Sequence, residues 1–193
     1  MSFTTTAKGV MLDALTLTTA SLHTAFPGAT GVNEVVGGAP AYARKAVTVN
    51  ASSGGVRSLN AAVTFDVPAC TVRWIGFWNG ATFNAYSPAS GSPKEFIVDV
   101  VADTVRSLAH GYTNGQSVVF YGDTVPSPLT EGTIYYVVNT ATDTFQIAAS
   151  VGGSPIGLTT AGGSACLISI ISETVYAAQG THTLNTATFA LPD

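Results

Sequence analysis

Most of this chain is broken into short runs of β-branched and aromatic residues, each closed by Gly, Pro, Asn or Ser. AVTVN at 46–50, AAVTFDV at 61–67, VRWIGFW at 72–78 and THTLNTATFAL at 181–191 are of this kind. Such runs are too short for independent helices and read as strands of period two. In the stretch after Leu15, Ala20, Leu22, Thr24 and Phe26 fall on one face, and Ser21, His23 and Ala25 on the other. Trp74 and Trp78 share one face of the 72–78 run and Phe77 takes the other, so cover is expected on both sides. Only residues 4–15 show helical spacing. Thr4 to Thr6 offer caps, and Ala7, Val10, Met11 and Ala14 form one apolar stripe. Gly9 weakens this helix, which therefore has to dock on something.

Many short strands at regular spacing predict an all-β fold. The expected architecture is a β-sandwich or jelly-roll-like domain with a short N-terminal helix, interrupted by a small β-barrel-like module. FIVDVV opens the inserted zone, and Asn114-Gly115 is a strong turn pair before the strand SVVFY. TIYYVVN and TFQIAA flank TATD as a hairpin, and ACLISI leads back. The domain limits are set at 1–95 with 169–193 for the outer domain, and 96–168 for the insertion.

Composition narrows function. Hydrophobic residues make up 46% of the 193 residues and charged residues 9%, against roughly 25% charged in an ordinary soluble domain. The surface is thus expected to be polar but uncharged. Net charge is −4, and the seven Lys and Arg are spread thinly. That leaves no electrostatic footprint for nucleic acid. No apolar run is long enough for membrane insertion. The N-terminus lacks the order of a signal peptide, so synthesis in a cytosol is expected. Cys70 and Cys166 are far apart and read as buried, inert thiols.

Catalytic patterns are absent. His23, His110 and His182 show no metal-ligand spacing, and neither a GxSxG elbow nor a P-loop occurs. No catalytic, metal or cofactor residues are assigned. Glu95, Asp99 and Asp103 are the one local acidic group, with a spacing of four that would put them on one face of a strand. A solvated edge is the simpler reading. The run from Ser21 to Gly38 is read as a shaped structural loop. His23 fixes the turn by a hydrogen bond, Gly28, Gly31, Gly37 and Gly38 supply positive φ, and Glu34 pairs with Arg44. Trp74, Phe77 and Trp78, with Tyr121, Tyr135 and Tyr136, are either core or anchors of a subunit or virion interface. Val10 and Met11 of the helix stripe are further interface candidates.

Several blocks in order carry a resemblance: LHT at 22–24, Pro27-Gly28, Gly31, NEV at 33–35, GG at 37–38, YAR at 42–44, AAVTF at 61–65 and IGF at 75–77. Over residues 5–86 the chain resembles a family of tailed-phage virion proteins, the phage tail fibre or minor tail proteins. Residues 173–193 resemble that family's C-terminal end. HGYTNGQSVVF, TIYYVVN and TFQIA resemble small β modules of phage surface proteins. Phe26 stands where the family often has an acidic residue, and many relatives lack the insertion. The resemblance implies a non-enzymatic structural protein of the virion, made in the host cytoplasm, on the tail as a fibre or minor tail accessory. A capsid decoration protein that stabilises the shell is the alternative, and a carbohydrate-binding or depolymerising receptor protein is a third reading. Implied partners are other virion proteins, of the tail or the major capsid protein, with a host-surface glycan as a further one. Low charge and the helix stripe point to a homo-oligomer, with a trimer the expected form.

Overall fold

The computed structural model describes residues 4–89 and 91–191. In chain order the elements are α1 (Thr5–Ala14), β1 (Thr19–His23), β2 (Lys45–Ala46), β3 (Val56–Ser58), β4 (Val63–Val67), β5 (Cys70–Val72), β6 (Trp74–Asn79) and β7 (Thr82–Pro88). There follow β8 (Ile97–Asp99), β9 (Thr104–Arg106), β10 (Ser117–Tyr121), β11 (Ile134–Val138), β12 (Thr144–Ala148), β13 (Leu167–Ile170), β14 (Thr174–Tyr176), β15 (Gly180–Leu184) and β16 (Thr188–Ala190). The chain is mostly strand, with one short helix. It divides into two units, residues 4–89 with 173–191 and residues 91–172. The remainder of the expected domain limits, residues 1–3, 90 and 192–193, lies outside the described residues.

In the first unit a four-stranded antiparallel sheet has the order β2-β1-β6-β7. The three C-terminal strands return to the earlier ones as two-stranded ladders, β14 on β5, β15 on β4 and β16 on β3. The alternation read in the sequence holds from Ala20 to His23, but β1 ends there, and Phe26, expected on the face of Ala20 and Leu22, packs against Trp74 on the other. Ala20 pairs with Phe77 and Leu22 with Ile75. This face joins Phe65, Val67, Val72 and Leu184 in the unit's core. Ser21 pairs with Gly76 and His23 with Trp74 on the opposite face. β1 is buried on both faces from Ala20 to His23.

The helix forms where expected but turns a different face inward. Thr4 caps it, its hydroxyl oxygen accepting the Ala7 N–H at 3.2 Å. Its buried residues are Lys8, Gly9 and Leu12, whereas Val10 and Met11 are 67% and 46% exposed and Ala14 is exposed too. Two contacts with distant residues explain the rotation. A Cβ on Gly9 would lie 2.8 Å from the Ser52 hydroxyl, so its absence admits a close approach. Lys8 Nζ donates to the Leu191 carbonyl at 3.1 Å, which lets its aliphatic stem lie buried. At the other end, Arg57 Nη1 donates to the carbonyls of Leu12 and Leu15 at 2.8 and 2.6 Å, satisfying acceptors that the helix leaves open. The 46–50 run is less regular than read: pairing in a strand stops at Ala46, and Val49 makes one isolated bridge to Leu59.

The second unit is a six-stranded antiparallel sheet in the order β13-β10-β11-β12-β9-β8. Its core gathers Val105, Val118, Phe120, Val137, Phe145, Ile147 and Ile168. β11 and β12 form the hairpin read across TATD, with Asn139 at φ +51°, and Gly115 of the Asn-Gly pair sits at φ +86°. The sheet is open and does not close into a barrel, contrary to the barrel-like expectation. Among the described residues its two edges are bridged at Lys94 and Ile168, which exchange main-chain hydrogen bonds at 2.8 and 3.0 Å. One bridge is not a closing ladder. The same bridge, with the Ile171 N–H donating to the Ser117 carbonyl at 3.2 Å, carries this unit outward past both limits of 96–168.

Within the first unit, the points where the chain leaves and re-enters are neighbours. The Ala89 N–H donates to the Arg73 carbonyl at 2.8 Å, while Thr174 pairs with Val72. Arg73 also holds Glu173 in an ion pair.

Candidate functional site

The face of the sheet turned away from the core is aromatic: Trp74 and Trp78 from β6, Phe83 and Tyr86 from β7. The loop 24–44 lies over it. Phe26 packs edge-on against Trp74 and Tyr86 at 5.1 and 5.3 Å between ring centres, which explains an aromatic at a position where the resemblance suggests a carboxylate. Trp78 and Phe83 meet at 4.8 Å. Gly31 lies on these two rings; at φ +74°, a Cβ would stand 2.5 Å from the Trp78 ring and 2.8 Å from Phe83. Glycine is needed there for conformation and for space.

Beneath the loop runs a buried chain of hydrogen bonds. Trp78 Nε1–H donates to Ser21 Oγ at 2.7 Å. Ser21 Oγ lies 2.7 Å from His23 Nε2, and His23 Nδ1 lies 2.7 Å from the Val32 carbonyl. A carbonyl only accepts, so Nδ1 carries the proton and Nε2 accepts from the serine hydroxyl. Burial holds the imidazole below its ordinary pKa, against the opposing pull of the Val32 carbonyl and Glu34. Gly76 completes the packing: a Cβ there would lie 2.5 Å from His23 Nε2 and 2.6 Å from Ser21 Oγ.

The outer half of the same knot is charged. Arg44 Nε and Nη2 hold both carboxylate oxygens of Glu34 at 2.7–3.1 Å. The guanidinium carbon sits 3.3 Å from the centre of the Trp78 ring. Tyr42 supplies a missing strand partner: its hydroxyl accepts the Leu22 N–H at 2.7 Å and donates to Glu34 at 3.4 Å. The Leu22 carbonyl is taken by the Val35 N–H at 2.9 Å. Burial raises the Tyr42 pKa far above its ordinary value. At Gly37 and Gly38, φ is +89° and +94°, and Gln179 ties the turn down by accepting the Ala39 N–H at 3.1 Å. Gly28, at φ +57°, has nothing within 4 Å of a built Cβ.

A serine hydroxyl against a histidine nitrogen is the beginning of a hydrolytic site. Here both residues are 0% exposed. Ser21 Oγ is engaged by Trp78, and the orienting partner of His23 is a main-chain carbonyl. This pair is built to hold the loop, not to meet a substrate. His23, Gly31, Glu34 and Arg44 converge as one structure. Ser21, which alternation puts on the face of His23, belongs to it as well, and so do Tyr42 and Gly76, which no spacing marked beyond the YAR and IGF blocks.

The remaining candidates are dispersed. Trp74, Phe77 and Trp78 are 1%, 0% and 6% exposed, with Phe77 against Phe189 at 4.7 Å on the core side. Tyr121 and Tyr135 are buried and Tyr136 is half-buried. Of the aromatic candidates, only Tyr136 keeps appreciable exposed surface. His110 Nδ1 accepts the Tyr112 N–H at 2.9 Å, and His182 Nδ1 lies 3.1 Å from the Tyr176 hydroxyl. Glu95, Asp99 and Asp103 do not share one strand. β8 ends at Asp99, whose carboxylate accepts from the N–H groups of Val101 and Ala102, and Asp103 stands in the following turn at φ +52°. Among the described residues, no group of three His, Cys, Asp or Glu is placed to hold a metal ion. Among the same residues, no helix is long and apolar enough to cross a membrane.

Residues 4–91 match the family of the podophage GP4 fiber I protein gp80. The matched segment, just under half of the chain, contains the whole knot: β1, the loop 24–44, β6 and β7. No curated protein and no solved structure matches the chain.

Proposed function

We propose that this chain is a non-catalytic structural protein of a bacteriophage particle, a fibre or minor tail accessory at its surface. The observation that carries the reading is the agreement between the matched segment and the physical knot. The part of the chain that is similar to the fibre protein is the part whose polar groups are consumed in holding a loop rigid. Rigidity of this kind serves a particle component that must keep its shape outside the cell. With Trp74, Phe77 and Trp78 buried, association with other virion proteins or further copies of the chain falls to exposed apolar groups of the first unit. Val10 and Met11, adjacent on α1, are among these, with Val36 and Val175.

Purified particles test the reading. Quantitative mass spectrometry is expected to find a handful of copies per particle, and immunogold labelling to decorate the tail. Hundreds of copies on the head would replace the tail assignment by a capsid decoration role. Absence from the particle would overturn the proposal.

A further inference from the structure

Seven cationic side chains are spread along the chain, and five of them are used internally. Arg44, Lys45, Arg57 and Arg73 each lie against a carboxylate, and Lys8 donates to the Leu191 carbonyl. The other two, Lys94 and Arg106, are the only cations of the second unit. Neither has a carboxylate partner among the described residues, although this unit carries six carboxylates. Both line the same cleft, about 680 Å³ in volume.

The sheet explains why they meet. Arg106 on β9 stands opposite Ile97 on β8, so the two side chains share the outward face. Leu108 follows two residues on, 69% exposed, and Ile97 is 62% exposed. Lys94, fixed by its main-chain bridge to Ile168 at the open seam, also lines the cleft. Phe96 lines it too, half-buried and steadied from the core by an edge-on contact with Phe120 at 5.2 Å. The Ser164 hydroxyl adds a polar rim. Two cations and three apolar side chains therefore line one concave site.

We infer that this cleft of the second unit binds an acidic oligosaccharide, with sugar carboxylates on Lys94 and Arg106 and a ring face on Phe96, Ile97 and Leu108. Charge density selects the class. Glu95 shares the cleft, and the surrounding unit is net negative, so a dense polyanion is repelled while carboxylates spaced by neutral hydroxyls are accepted. Guanidinium and ammonium donors form their strongest hydrogen bonds with such carboxylates.

The test is calorimetric titration of the full chain with a galacturonate hexamer, its methyl-esterified form and a hexaglutamate peptide. The hexamer is expected to bind, and esterification to abolish binding. Lys94→Gln with Arg106→Gln is expected to weaken it at least ten-fold, with an unchanged urea transition because both side chains reach solvent. Leu108→Ser should weaken binding several-fold without altering its salt dependence. No binding of the hexamer overturns the inference, as does full binding by the double variant. Equal or tighter binding of the peptide would assign the cleft to a protein segment instead. Particle incorporation is read separately, so either reading can fail without the other.

Discussion

Arg44 lies with its guanidinium carbon 3.3 Å above the Trp78 ring while its nitrogens grip both oxygens of Glu34. One side chain thus ties the loop 24–44 to the sheet beneath it. The ion pair is about a quarter exposed, at 33% and 19% for the two side chains, so solvent screens part of it. A cation over an aromatic face contributes about 0.5–2 kcal/mol and a partly exposed pair up to ~1 kcal/mol. Arg44→Ala is expected to cost ~1–3 kcal/mol in urea unfolding. Arg44→Lys should recover only part, because the planar fork is lost with the charge retained.

The glycines of the loop separate by cause. Gly76→Ala places a methyl on His23 and Ser21, and overpacking of this kind costs about 1–3 kcal/mol. Gly31→Ala adds a positive φ to a clash with the Trp78 ring, and is expected to be the worse of the two. Gly28→Ala meets no neighbour, so only backbone strain remains, about 1 kcal/mol. Thermal or urea midpoints should fall in the order Gly28, Gly76, Gly31. A Gly28 variant as damaged as the Gly31 variant would refute this account of the packing.

His23 makes stability depend on pH. Its folded pKa lies below the unfolded value of about 6.5 because burial disfavours the charged form. Above pH 6.5 the ring is neutral in both states and its contribution is intact. As pH falls from 6.5 toward the lower folded pKa, the unfolded chain takes up the proton first and stability is lost. His182 is also held low by burial and adds to the same trend. His23→Gln is expected to flatten stability against pH between 7 and 5, whatever its absolute cost. An unchanged slope would show that the ring does not carry the effect.

The two units are expected to separate. Replacing residues 91–171 by a short Gly-Ser link should leave the first unit folded, since its exit at Ala89 and re-entry at Thr174 bond to neighbouring residues, Arg73 and Val72. The shortened chain should unfold cooperatively in urea, and a broad, featureless transition would count against independence.

Much of the knot was legible before any coordinates. The Glu34–Arg44 pair, the turn-fixing role of His23 and the two covered faces around Trp74 and Phe77 follow from alternation and from short polar residues beside glycines. The face of α1 was not legible. Its periodicity favours Val10 and Met11, but Gly9 and Lys8 are drawn inward by Ser52 and Leu191, which no local window contains. Tyr42 was hidden for a related reason: a side chain standing in for a strand partner leaves no periodic trace. The cleft does leave a trace in the sequence, because Lys94 and Arg106 are the only Lys or Arg between residues 90 and 172.

The Arg73 corner also couples the two folding events. Pairing β5 with β14 means closing some 100 intervening residues, an entropic cost of roughly 4 kcal/mol if that stretch is a floppy coil. Once folded, the same stretch is a short rigid staple across two adjacent positions, and most of that cost disappears. Melting the second unit is therefore expected to slacken the first unit at the three rungs of the Cys70–Val72 ladder. A nick inside the insertion that leaves it folded is not. The stability of the first unit is thus expected to depend on whether the stretch between Ala89 and Thr174 is folded, and not on what that stretch displays.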